Sequence, residues 1–461
     1  AQTPQADKAF IKENIEFATK QYSLMMQTPA QGKNGKAIMP HSMRKDGTPS
    51  KGSIYLWTAG FFPGTLWYLS NYTGDKALQD SALVYTHQME PAKTFTDNHD
   101  IGFMMYCSYG NANRFAPKDE YEDILVESAR SLCTRFRPQA KVIQSWNGFR
   151  SWHGDKVYDF PVIIDNMMNL ELLFHASKVT GDESFRKVAI SHAEQVMHHQ
   201  VRKDYSCFHI IYYDKKTGKP IKGETSQGYS DNSAWSRGQA WGIYGFTMCY
   251  RETKDKRFLK TAEKMADFYL DHPNLPSDKV AWWDFNAFQE GYTPGIRSNA
   301  CKMVNNYRDA SAAACVASAL LELSTYSKGS KSKKYLESAK QILHALGSTN
   351  YRAELGKNAN FILMHSVGAV PHNSEIDVPL TYADYYFIEA LDRYNRMLDG
   401  NSPLYIKGKN MKRKNYLICL LTAIILLPIG VQAKDKKKGK KNIPMTEIQT
   451  TGTQDRAIWV K

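Results

Sequence analysis

Two aspartates in this 461-residue chain stand directly ahead of apolar stretches with helical periodicity: Asp100, in Asp97-Asn98-His99-Asp100, and Asp165, in Asp165-Asn166. Other apolar stretches are introduced in the same way, by Trp57, by Trp235, Arg237 and Trp241, by Tyr307-Arg308-Asp309, and by Tyr382 and Asp384. Two carboxylates sharing a site can have their pKa values driven apart, so that one works as acid and the other as base or anchor. Tryptophan faces stack on the apolar face of a pyranose, and a guanidinium can hold a carboxylate through two parallel N–H bonds. The set suits acid–base chemistry on a sugar that carries an acid group. Taken singly, each residue has a plainer role: an Asp at a helix start is more often an N-cap than a catalyst. His99 alone reads as a hydrogen-bonded core histidine, Arg237 as half of an ion pair, and the tryptophans as core. Only convergence gives them a joint function, and convergence depends on the elements that carry them.

Those elements repeat one theme through residues 1–400. A stretch apolar on most faces, such as Asn166 to Val179, is followed by a turn, Thr180-Gly181-Asp182, with Gly as helix stop and Asp as N-cap. An amphipathic helix follows, with Phe185, Val188, Ala189, Ala193 and Val196 on one stripe. The theme recurs at Phe61 to Tyr72, Gln239 to Tyr250 and Arg308 to Ser324, with weaker copies near Asp100 and Thr381 and a closing helix near Asp7 to Met26. Helices apolar all round are buried, and helices with one stripe are half exposed. Alternating them predicts an all-α fold, an (α/α)6 barrel of six inner and six outer helices. Its inner helices all start at one rim, so the chemistry-bearing segments are expected to line one pocket. His-Ile-Ile-Tyr-Tyr at 209–213, with turn-like Asp214–Gly218, predicts a short hairpin within Lys203–Tyr229.

The net charge of +14 does not argue for a nucleic-acid partner, because it is unevenly placed. Residues 401–461 hold 13 Lys+Arg and 3 Asp+Glu, which leaves the first 400 with a net charge of only +4. Met411-Lys412-Arg413-Lys414, the apolar run Tyr416 to Val431 and Val431-Gln432-Ala433 together have the pattern of a secretory signal peptide. The expected division is a catalytic domain over 1–400 and a non-domain basic tail over 401–461, from a neighbouring reading frame fused to this one. A stable membrane anchor is not expected, since the run falls short of the ~20 residues a spanning helix needs. The chain opens Ala1-Gln2-Thr3, the look of a mature N-terminus, and a periplasmic or otherwise exported location is expected. The seven cysteines, odd in number and without CxxC, read as free buried thiols. Gly35-Lys36 lacks the flanking residues of a P-loop, there is no GxSxG, and His192, His198 and His199 read as a solvated helix face with no metal site. No cofactor is implied.

NHDIGFMMYCSYGN at 98–111, IIDNMMNLELLFHAS at 163–177 and DNSAWSRGQAWGIYGF at 231–246 resemble glycoside hydrolase family 88, the unsaturated glucuronyl hydrolases, as does DYYFIEALDRY at 384–394. The resemblance covers roughly residues 7–398. It implies an (α/α)6 barrel that removes a 4,5-unsaturated glucuronic acid from the non-reducing end of lyase-generated glycosaminoglycan oligosaccharides, by hydrating the enol-ether double bond. It further implies Asp165 as the group that protonates C4 and takes a proton from the water attacking C5, with Asp100 as the second essential carboxylate. Trp57, His99, His209, Gln227, Trp235, Arg237 and Trp241 match the family's sugar-binding positions. A protonated Asp165 requires a raised pKa, expected from burial and the Asp100 charge. The stretch 369–374, AVPHNS, lacks the serine and lysine set that receives a sulfate in some members, which leaves sulfate preference open. The alternatives are an unsaturated galacturonyl hydrolase of the rhamnogalacturonan type, an (α/α)6 sugar epimerase and a non-catalytic glycan-binding protein. Oligomeric state is not legible.

Overall fold

The alternation of buried and half-buried segments becomes twelve α-helices among the described residues of the computed structural model, which are 3–27, 36 and 38–405. The expectations for Met411 onward lie outside the described residues. Six helices are inner: α2 (Phe61–Thr73), α4 (Ile101–Phe115), α6 (Leu170–Thr180), α8 (Ser236–Thr253), α10 (Ala310–Tyr326) and α12 (Thr381–Leu398). Six are outer: α1 (Pro4–Met25), α3 (Lys76–Gln88), α5 (Asp119–Cys133), α7 (Glu183–His199), α9 (Lys256–Asp271) and α11 (Gly329–Leu346). Each inner helix packs on the next, and α12 returns to α2, which closes the ring. Burial follows the side-chain pattern: α10 is buried continuously from Ala310 to Ser324, whereas α11 buries a stripe through Tyr335, Ala339, Ile342, Leu343 and Leu346. The fold is the (α/α)6 barrel.

The turns from inner to outer helix form by local chemistry. Gly74 and Gly181 take positive φ at the ends of α2 and α6, and Asp75 and Asp182 accept the first N–H groups of α3 and α7. Inner helices approach so closely that a Cβ on Gly102 would lie 2.5 Å from the Asn169 Cα. Across the same contact Asn169 Oδ1 accepts the Phe103 N–H at 2.7 Å, tying the start of α4 to the start of α6. Deeper in the ring, Glu389 accepts from Ser318 at 2.6 Å and Tyr244 at 2.9 Å, and Arg393 pairs with it at 3.3 Å. Buried charges there are paired, as a dry interior requires.

Small sheets supplement the helices at the inner-helix N-terminal end. The expected hairpin is present as strands Ile210–Tyr213 and Pro220–Glu224. A third strand, Pro161–Ile163, adds to it with Ile163 opposite Ile210. That register sets Asp165 beside His209. Strands Met39–Met43 and Ser374–Val378 belong to two further hairpins, joined where Ser42 bridges to Leu380.

Two sequence expectations need correction here. His192 is fully buried on α7, not solvated: its Nδ1 accepts the Ile143 N–H at 3.0 Å, and burial pushes its pKa down to about 3. Among the described cysteines, all free, Cys207, Cys249 and Cys315 are buried, Cys107 and Cys133 are half-buried and Cys301 is exposed. The packed chain also runs past residue 400, since the Tyr405 ring lies 3.8 Å from the Arg396 guanidinium and its hydroxyl donates to Asp392 at 2.9 Å. No helix of the described residues is long and apolar enough to cross a membrane.

Candidate active site

Asp100 occupies the N-cap position of α4, yet its side chain accepts no helix N–H. Asp165 lies one residue inside a short 3-10 turn, Ile164–Met168, that leads into α6, so it does not cap that helix either. Asp309 shows the contrast: its Oδ1 caps α10 through the Ser311 N–H at 3.0 Å. Two carboxylates placed at helix starts but released from capping are free for other work.

Each has its own histidine. Asp100 Oδ1 is 3.2 Å from His99 Nε2, and Asp165 Oδ2 is 3.4 Å from His209 Nε2. The Gln227 backbone N–H donates to His209 Nδ1 at 3.2 Å, and Ser226 Oγ lies 2.5 Å from the same nitrogen. Nδ1 is therefore an acceptor, which puts the ring proton on Nε2, toward Asp165. Burial lowers the His209 pKa more than Asp165 raises it, so the ring is neutral near pH 7. Ser145 joins the two halves, bonding His99 Nδ1 at 3.1 Å and accepting the Ile163 N–H at 2.9 Å.

Burial pushes the Asp165 carboxyl up, but His209, His99 and Arg237 together outweigh it and hold the pKa below the ordinary value. The expected raised pKa is corrected: in the ligand-free protein Asp165 is ionised, because His209, His99 and Arg237 face it and outweigh its burial.

The aromatic wall is continuous. Trp235 meets the His209 ring edge-on at 4.6 Å and carries the Arg237 guanidinium on its face, also at 4.6 Å. Arg237 lies 5.4 Å from the ring of Tyr382, which packs 4.8 Å from Trp57. Phe103 sits between Trp57 and Trp241, 5.3 Å from each. Gln227 Oε1 accepts from Arg237 at 3.2 Å. All nine residues singled out by sequence, Asp100, Asp165, Trp57, His99, His209, Gln227, Trp235, Arg237 and Trp241, thus form one cluster.

Three expectations about neighbouring residues change. Arg237 does not present a free two-pronged grip. One terminal nitrogen bonds Asp309 at 3.2 Å and the Val367 carbonyl, and the other bonds Gln227 at 3.2 Å and the Gly368 carbonyl at 2.6 Å. Arg308 turns away to Asp278, 2.8 Å off, and stacks on Trp282. Asp384 holds the loop at Ile362 and Leu363 by accepting both their N–H groups at 2.9 Å. Sequence reasoning missed Ser145, Ser226 and Phe103, whose types signal nothing without their neighbours. In the stretch 369–374, His372 packs 4.8 Å from Trp152 and supplies no cation, burial pushing its pKa down to about 4.

Four buried polar atoms of this cluster have no hydrogen-bond partner, Trp235 Nε1, Arg237 Nε, Trp241 Nε1 and Tyr382 Oη, while Asp165 Oδ2 and His209 Nε2 face each other at 3.4 Å and His99 Nε2 faces Asp100 at 3.2 Å. Buried polar groups are ordinarily paired, so such a concentration marks a site that a polar ligand completes. No cluster of His, Cys, Asp and Glu among the described residues has metal-ligand geometry.

Comparison with known proteins agrees with this geometry. The family model for Glycosyl Hydrolase Family 88 matches residues 30–397. An unsaturated glucuronyl hydrolase of Formosa agariphila is 45% identical over 343 residues, 74% of this chain and 80% of the relative. An unsaturated chondroitin disaccharide hydrolase of Streptococcus pyogenes is 33% identical across 83% of this chain and 91% of the relative. A crystal structure of an unsaturated glucuronyl hydrolase specific for heparin superposes with a TM-score of 0.76 at 43% identity, covering 85% of this chain and 98% of that one.

Proposed function

The chain belongs to glycoside hydrolase family 88, and from that premise we propose that it is an unsaturated glucuronyl hydrolase. It removes a 4,5-unsaturated glucuronic acid from the non-reducing end of oligosaccharides that polysaccharide lyases release from glycosaminoglycans. The observation that carries the reading is the pair of buried, non-capping carboxylates, each beside a histidine, in a wall of tryptophans with unpartnered polar atoms.

The assigned roles follow the chemistry of an enol ether. Asp165 delivers a proton to C4, and charge develops at C5, where water adds. The ionised Asp165 then takes the proton lost by that water. The C5 hemiketal opens to a ketone at C5, which leaves C1 as a hemiacetal; the hemiacetal collapses to the aldehyde and releases the partner sugar with its hydroxyl protonated. In the free site Asp165 is ionised, and a substrate carboxylate changes that balance: it adds negative charge and displaces water, and both raise a carboxyl pKa. The substrate thereby loads its own acid. Neutral His209 aims Asp165, and Asp100 with His99 holds the sugar. Trp57 and Trp241 supply stacking faces.

We place the enzyme in the periplasm or otherwise outside the cytoplasm, where lyase products of extracellular polymers arise; cell fractionation tests this. The activity is tested by following the ultraviolet absorbance of the unsaturated uronate in chondroitin, hyaluronan, heparin and pectin disaccharides. Loss of absorbance with one or more of the glycosaminoglycan disaccharides is expected. No loss with any of them refutes the reading.

A further inference from the structure

We propose that the hydroxyl of Tyr382, together with the one free N–H of Arg237, forms the cradle for the carboxylate of the unsaturated sugar. The proposal rests on the function above and names a residue that the sequence had placed only at a helix start. A guanidinium has five N–H donors. In Arg237 the four on the terminal nitrogens are committed to Asp309, Gln227 and the carbonyls of Val367 and Gly368. Only Nε is left, buried and unpartnered. One N–H cannot hold a carboxylate in a fixed orientation, so a second donor is needed close by.

Tyr382 supplies it. It is the second residue of α12, with 1% of its surface exposed, and its hydroxyl has no hydrogen-bond partner. Tyr244 and Tyr385, also on inner helices, commit theirs, Tyr244 to Glu389 at 2.9 Å and Tyr385 by accepting from Asn111 at 3.0 Å; Tyr109 shares the unpartnered state, but it packs on Tyr121 of the outer helix α5. The Tyr382 ring is wedged between the Arg237 guanidinium at 5.4 Å and the Trp57 ring at 4.8 Å. In the proposed pose the sugar stacks on Trp57 with C4 and C5 toward Asp165 and turns its C6 carboxylate toward Tyr382, beside which the Arg237 guanidinium lies. Burial, with the charges of Glu375, Asp309 and Asp165, keeps the phenol protonated against the pull of Arg237, so it acts as a donor. A phenol O–H on a carboxylate is a charge-assisted bond, stronger than one to a neutral group.

Tyr382→Phe keeps the ring and its packing and removes only the oxygen. The experiment measures binding by calorimetry in an Asp165→Asn background, with and without Tyr382→Phe, using the unsaturated uronyl disaccharide and its carboxyl-reduced counterpart. The expected result is a Kd about 10- to 100-fold higher for the uronyl disaccharide, as for the loss of one hydrogen bond to a charged group, with less than about a twofold change for the reduced one. An unchanged Kd for the uronyl disaccharide, or an equal rise for both, overturns the cradle. In the otherwise native enzyme the same variant raises KM more than it lowers kcat, and Tyr382→Ala, which also removes the ring, is worse in both. Failure of the function itself reads differently: the native enzyme then leaves every unsaturated uronyl disaccharide unconsumed.

Discussion

Asp165 meets burial, which favours its neutral form, and three neighbours that favour its charge; the neighbours win. Two predictions follow from that contest. Asp165→Asn removes the group proposed to give C4 its proton, and turnover is expected to fall by at least about 1000-fold. Circular dichroism and thermal melting should stay as in the native protein, because the side chain caps no helix. Retained activity removes Asp165 from the acid role. His209→Ala deletes the group that lowers the Asp165 pKa most, so the free-enzyme pKa rises. Since the protonated form delivers the proton, the alkaline limb of kcat/KM moves to higher pH. A profile unmoved by the substitution contradicts the pairing. At this scale the sequence singled out residues that the fold gathers into one cluster, but the state of Asp165 and the commitments of Arg237 depend on which atoms face which.

Among the elements, the close approach of α4 to α6 places Asp100 and Asp165 in a common frame. On helix propensity alone Gly102→Ala gains up to about 1 kcal/mol. The new Cβ meets Asn169 at 2.5 Å, and overpacking of that kind costs about 1–3 kcal/mol, so the clash decides the sign. The variant is expected to unfold at lower denaturant concentration and to lose activity through displacement of the Asn169 bond to Phe103. A stability equal to or above that of the native protein contradicts the tight crossing. The helices themselves were legible, because the all-round and single-stripe patterns report burial directly, and Thr180-Gly181-Asp182 marked a boundary by its own chemistry. His192 was misread because an outer helix also buries the residues beneath a loop, and the Ile143 backbone that covers it is 49 positions away in the chain.

For the molecule as a whole, packing among the described residues reaches Tyr405, and we propose that the basic residues beyond it contribute nothing to catalysis. Truncation after Tyr405 is expected to leave kcat/KM and melting temperature unchanged. Truncation after Gly400 removes the ring stacked on Arg396 and packed 5.0 Å from Phe115, and is expected to cost about 1–3 kcal/mol of stability with activity retained. Equal melting of the two truncations contradicts the boundary, and loss of activity in both contradicts the dispensable tail. The sequence by itself determined the barrel, through hydrophobic periodicity summed over twelve helices, and determined which residue types stand at the helix starts. Ring closure then brought those starts together, as the alternation required. Tertiary structure alone decided their chemical states. Hydrogen-bond commitments, the tautomer of His209, the ionisation of Asp165 and the unpartnered hydroxyl of Tyr382 arise between residues tens to hundreds of positions apart. They turn on tenths of an ångström, whereas periodicity constrains only which face of a helix is buried.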